Sequence, residues 1–294
     1  MDRDDAPSGP PAAILLATDL SARSDRAQDR AAALARLWNA HLVALHVVEP
    51  GPEGPTGSAA IPSWRPPPDA AQLAEWEMRA ELLAEVGAVT TLVEAGDPAA
   101  VAARVAVERN CGLVVAGLAR YEPLGRFSLG ATVAKLARLS SVPILVVRKR
   151  VRHDYARIVV AADWSGTSRN ALRTALRLFL DRPLTLFHAY DPPYSNLVGD
   201  KDAYAREYAA RIKAECAEFL EGAGLSPADR RRLATVIEEG MPAPLLRDYA
   251  RSADVDLVVM GTHGRGAVLD FLVGSSAREI LGALPCDALL VPGG

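Results

Sequence analysis

Apolar residues fall along this chain in two alternating rhythms. Short runs of β-branched and aliphatic residues, apolar on both faces of a pleat, are bounded by Gly, Pro or Asp, as in Leu257-Val-Val-Met-Gly261. Between them lie longer Ala/Leu/Arg stretches whose apolar positions recur with the roughly 3.6-residue period of a helix. Strands read this way fall near residues 14–18, 42–48, 89–93, 113–117 and 144–148, then near 158–162, 184–189, 234–238, 257–261 and 287–291. Helices fit at 22–38, 70–86, 98–109 and 130–140, then at 166–180, 200–222, 242–252 and 275–283. Strands apolar on both sides that alternate with helices predict an α/β protein, its parallel sheet covered by helices on both faces.

The order of elements repeats. Ile14-Leu-Leu-Ala-Thr-Asp19-Leu-Ser21 is echoed by Ile158-Val-Val-Ala-Ala-Asp163-Trp-Ser165, an offset of 144. The same offset relates Gly96 to Gly240, Leu113-Val-Val-Ala-Gly117 to Leu257-Val-Val-Met-Gly261, and Ile144–Val147 to Ala288–Val291. His46 and His188 pair at 142, a length change of the kind loops absorb. The pattern predicts two tandem Rossmann-like or flavodoxin-like domains of five strands each, covering residues 12–150 and 155–294 after a flexible tail at 1–11. The Pro/Gly-rich stretch 50–68 is expected to be a long loop, and the basic run Arg148–His153 a solvated linker.

Composition agrees with this picture. At 294 residues, 50% hydrophobic and 23% charged, the chain can bury two ordinary cores. A net charge of −3 gives no reason to expect nucleic acid or an anionic membrane, and no run approaches the roughly 18 apolar residues of a membrane span. Cys111, Cys216 and Cys286 form no Cys-x-x-Cys pair, which argues against disulfides or zinc and fits a reducing cytoplasm.

Candidate chemistry concentrates in the second copy. After its fourth strand the chain reads Gly261-Thr-His-Gly264-Arg265-Gly266, and Gly274-Ser275-Ser276 then opens the last helix. The connection is long for an α/β unit, whose loops usually have about 2 to 6 residues. Glycines there let backbone approach a ligand, and a helix opening with serines offers free N–H groups and hydroxyls to phosphate oxygens. Asp163 and Ala189 end the first and second strands at the same carboxyl edge, where such sheets bind ligands. His46 and His188, each on a strand of its own copy, are expected to be structural, and Trp164 to pack in the core.

The spacing Gly261-x2-Gly264-x9-Gly274-Ser275 resembles the nucleotide loop of the universal stress protein family. Asp163-Trp-Ser165, His188-Ala189, Gly240-x-Pro242 and Pro285-Cys286 resemble its other signals, so the likeness covers nearly the whole chain in two copies. It implies an ATP-binding domain with parallel strand order 3-2-1-4-5. Asp163 and the Ala189 backbone would meet adenine and ribose, Gly261 and Gly264 the ribose and phosphates, and Gly274, Ser275 and Ser276 the phosphate tail. Arg265 is a further phosphate candidate by its charge and position. The resemblance also implies pairing of the two domains through their last strands, with a homodimer as a further option.

Copy one departs from the pattern, for Arg120 replaces the second glycine and Ala131 the serine. Arginine disfavours φ > 0, so this site is expected to bind nucleotide weakly or not at all, leaving Asp19 structural. The expected function is a stress-response regulator that holds ATP, ADP or AMP, with or without Mg²⁺, in its second domain. No P-loop occurs and no lysine follows a glycine, so dedicated catalysis is not expected and hydrolysis would be slow. A nucleotide-free scaffold is the alternative.

Overall fold

The computed structural model describes residues 9–22, 24–48, 70–82, 89–118, 120–121, 127–128, 130–193, 199–262 and 275–293. Two compact units emerge, one carrying residues 11–119 and 130–152, the other residues 1–10, 120–129 and 153–294. The first is built from β1 (Ala13–Thr18), α1 (Asp25–Trp38), β2 (His41–Val48), α2 (Ala70–Leu82), β3 (Val89–Ala95), α3 (Pro98–Glu108) and β4 (Val114–Gly117). The chain then forms a two-residue antiparallel ribbon of β5 (Arg120–Tyr121) and β6 (Phe127–Ser128), which belongs to the second unit, and completes the first with α4 (Ala131–Leu139) and β7 (Ile144–Val147). The main strands are all parallel, in the order β3-β2-β1-β4-β7.

The second unit runs β8 (Ile158–Ala161), α5 (Gly166–Leu178), β9 (Leu184–Tyr190), α6 (Lys201–Gly222), α7 (Pro227–Arg231), β10 (Leu233–Glu239), α8 (Pro242–Ser252), β11 (Leu257–Gly261), α9 (Ser275–Ala283) and β12 (Asp287–Val291). Its parallel order is β10-β9-β8-β11-β12. Both units thus share the order 3-2-1-4-5.

Why the sheets are covered on both faces is visible at single residues. Leu257, Val258 and Val259 are each 0% exposed, although successive side chains point to opposite sides of a strand. Phe187 packs its ring against Tyr249 of α8, whereas its neighbour His188 stacks on Trp164, which in turn meets Phe219 of α6. In α6 the buried residues are Ile212, Cys216 and Phe219, an apolar stripe at helical spacing. All three cysteines are buried free thiols, and burial pushes Cys111 up to about 11.

The duplication extends to backbone conformation. Leu20 and Trp164 both take positive φ (55° and 62°), as do Asn110 and Asp254 (52° and 47°), and Gly96 and Gly240 (142° and 136°). Each pair is separated by the same 144 residues. At the glycines positive φ turns the chain directly after the β3–β2 and β10–β9 ladders, which end with the Gly96 and Gly240 N–H groups on the Val48 and Tyr190 carbonyls, into a Pro-initiated helix.

Two differences from the sequence reading have local causes. Helix α1 begins at Asp25 rather than 22, because Asp19 to Ser24 are held in a side-chain-bonded turn. Helix α7 was not expected, yet Ser226 caps it by accepting from the Asp229 N–H and Pro227 opens it. Its five residues are too few to show a periodicity. No helix among the described residues is long and apolar enough to cross a membrane.

Candidate functional site

The carboxyl edge of the second sheet collects the sequence candidates. Ala161 pairs with Phe187 and Val160 with Val259, so register carried forward sets Asp163 level with Ala189 and Ala162 level with Gly261. Adjacent strands lie about 4.8 Å apart, which brings the ends of β9, β8 and β11 to one short stretch of edge. The β8–β9 ladder closes with the Ala162 N–H on the Phe187 carbonyl at 2.9 Å. Backbone groups alternate sides along a strand, and Tyr190 accepts from Gly240 on the β10 side. The Ala189 peptide groups therefore face the β8 flank, just past the end of that ladder and beside Asp163.

Asp163 is half-buried. Its Oδ1 accepts the Ser165 N–H at 3.0 Å, a turn that accompanies the left-handed Trp164 backbone. The cap of α5 is not the aspartate but Ser165, whose Oγ accepts the Ser168 N–H at 3.1 Å. The carboxylate is thus held at the mouth of the helix without serving as its cap.

Gly261 is explained by packing as well as by any ligand. A Cβ at this position would lie 2.6 Å from Cγ2 of Thr167 in the first turn of α5. The missing side chain is what lets α5 approach β11. Ser275 and Ser276 open α9, whose buried Ala277, Ile280 and Leu281 fix it against the core. A helix that returns from β11 to the start of β12 begins at the carboxyl edge, so its N-terminal turn lies on the same edge as Asp163. Gly264, Arg265 and Gly274 lie outside the described residues.

The first unit treats its aspartate differently. Asp19 Oδ1 accepts hydrogen bonds from the Ser21 N–H (3.0 Å), the Ser21 hydroxyl (2.7 Å) and the Ser24 hydroxyl (2.6 Å). Burial raises the Asp19 pKa, but the bonds from Ser24 and Ser21 outweigh it and hold the carboxyl below its ordinary value. Ser24 precedes α1 without capping it, since its hydroxyl is committed to Asp19. Arg120, standing where the second glycine would be, takes extended backbone in β5 and pairs with Ser128.

The paired histidines each hydrogen-bond the end of a neighbouring strand. His46 Nδ1 lies 3.1 Å from the Thr18 carbonyl and His188 Nδ1 2.7 Å from the Ala162 carbonyl, so each donates to the end of its first strand. Trp164, 6% exposed, stacks on His188 with centroids 4.2 Å apart, as core packing requires. Sequence reading missed the continuation of this stack through Tyr190 to Tyr208 and Tyr204. The signals were present: Tyr190 shares the pleat face of His188, and Tyr204 and Tyr208 are one helical turn apart. Burial, with help from Glu239 and Glu238, raises the Tyr190 phenol above its usual range.

These units are doubly wound α/β domains with a ligand-type edge at the ends of strands one, two and four. The model of the universal stress protein family matches residues 12–148 and again 154–292. A universal stress protein of Mycolicibacterium smegmatis is 26% identical over 295 residues, covering 95% of this chain and 96% of the relative. A putative universal stress protein of Staphylococcus epidermidis is 29% identical over 148 residues, covering 47% of this chain and 84% of the relative. Among solved structures, a universal stress protein from Archaeoglobus fulgidus shares the fold with TM-score 0.66 at 20% identity, covering 96% of this chain and 99% of that one. The chain belongs to the universal stress protein family, with two tandem copies of its domain.

Proposed function

We propose that this protein is a regulatory nucleotide binder that holds an adenine nucleotide, ATP foremost, at the carboxyl edge of its second unit, and that its first unit binds none. The observation that carries this reading is the carboxyl edge of the second unit. Asp163 stands level with the Ala189 peptide groups beyond the end of a ladder, where a carboxylate and backbone donors and acceptors suit a nucleoside. In the first unit Arg120 and Ala131 stand where the second has Gly264 and Ser275.

In this reading the Asp163 carboxylate and the Ala189 backbone meet adenine and ribose. Gly261 and Gly264 line the ribose and phosphates, while Gly274, Ser275 and Ser276 receive the phosphate tail at the N-terminus of α9. Arg265 supplies a positive charge to the same oxygens. Nothing in the sequence resembles a phosphotransfer loop, so the nucleotide is a signal to be held rather than a substrate.

Mass spectrometry of small molecules released from freshly purified protein tests the proposal. An adenine nucleotide is expected from the wild-type chain and is expected to be missing from Gly274→Asp. Steady-state phosphate release should be far slower than the roughly 10 s⁻¹ of a typical enzyme. A wild-type chain that carries no nucleotide and binds none at millimolar ATP would instead be the nucleotide-free scaffold.

A further inference from the structure

Strand register places a second carboxylate beside the nucleoside position of the second unit. Parallel partners lie side by side with their side chains on one face of the sheet, and Glu238 of β10 is the partner of Ala189 on β9. Their shared face is that of α8, since Phe187, two residues before Ala189, meets Tyr249 there. Glu239 is the partner of Tyr190 and falls on the opposite face, where Tyr190 stacks on Tyr208 of α6. Asp163, Ala189 and Glu238 therefore lie level on three neighbouring strands. At about 4.8 Å per strand, Glu238 stands about 10 Å along the edge from Asp163 and about 14 Å from β11.

The two copies treat this glutamate differently. Its counterpart in the first unit, Glu94, lies 144 residues earlier and is bound by Arg104 of α3. The residue of α8 that corresponds to Arg104 is Asp248, whose own carboxylate pairs with its neighbour Arg247 at 2.9 Å. With a carboxylate where the guanidinium stood, Glu238 is exposed and has no ion-pair partner among the described residues. The cation is missing from the copy that keeps the glycine loop.

Resting on the nucleotide reading above, we propose that Glu238 determines base specificity, its carboxylate accepting a hydrogen bond from the exocyclic amino group of adenine. With phosphates at α9 and the ribose at Asp163, the base extends over Ala189 toward β10, the end of the edge furthest from the phosphates. An ionised carboxylate offers acceptors only, so it favours a base that presents an amino donor there over one that presents none. Its separation from β11 exceeds the roughly 8 Å over which exposed charges act at physiological ionic strength, so it does not repel the phosphate tail.

Calorimetric titration of the full chain with ATP and with purine riboside triphosphate, which lacks only the amino group, tests this. The wild-type chain should bind ATP more tightly than the analogue. Glu238→Ala should lower that ratio of affinities about tenfold by weakening ATP alone, the analogue binding as before. Asp248→Arg, which restores the cation of the first unit, should lower the ratio in the same direction by engaging the carboxylate. A ratio equal to that of the wild type in either variant overturns the role of Glu238 while leaving nucleotide binding intact. A wild-type chain that binds neither compound overturns the nucleotide reading, and this role with it.

Discussion

At the scale of the residue, Asp19 links conformation to pH. Its folded-state pKa lies below the ordinary 3.8, so its contribution to stability is fully present above that value and is lost as pH falls through the folded one. Replacing it by Asn should cost about 1 kcal/mol at neutral pH, since charge-assisted bonds on a partly exposed group are screened. The same variant should flatten the loss of stability below about pH 4, read by urea titration across pH. Equal slopes for wild type and Asp19→Asn would refute this role. Gly261→Ala drives a Cβ against Thr167, and an overpacked contact of this kind costs about 1–3 kcal/mol. Thermal unfolding should show part of that loss recovered in Thr167→Ala, which removes the nearest atom. Sequence alone placed both residues at strand ends. It could not show that Gly261 answers to a threonine on α5, because that contact is made in space between elements nearly a hundred residues apart.

At the scale of the element, the strands and most helices were legible because both-face burial and helical periodicity leave strong marks. Boundaries were less so, since a side-chain-bonded turn such as Asp19–Ser24 displaces a helix start without altering the apolar pattern. Long-range capping was invisible too. Arg232 follows α7 and donates to the carbonyls of Leu176, Phe179 and Arg182 at the end of α5, while Asp229 holds its other edge. A cation at a helix C-terminus satisfies carbonyls that have no partner within the helix. Arg232→Met should therefore destabilise the second unit by about 2 kcal/mol, whereas Arg230→Met, on an exposed residue, should be nearly neutral. Chemical denaturation of the two variants separates them, and equal losses would contradict the assignment.

At the scale of the molecule, the two copies keep one framework and differ in how they use it. Matching positive-φ positions and matching histidine bonds to the ends of β1 and β8 show that the framework was retained as backbone geometry. The sequences diverge at the carboxyl edge, where Arg120 and Ala131 stand in the first copy and Gly264 and Ser275 in the second. The glycine loop itself was legible as a motif, and Gly264, Arg265 and Gly274 carry their assignment from that motif and from the strand that precedes it. Isothermal titration of the full chain with ATP tests the division of labour most directly. One nucleotide per chain is predicted, with affinity reduced about 10- to 100-fold by Asp163→Ala and unchanged by Asp19→Ala. Two nucleotides per chain, or binding indifferent to Asp163→Ala, would contradict it.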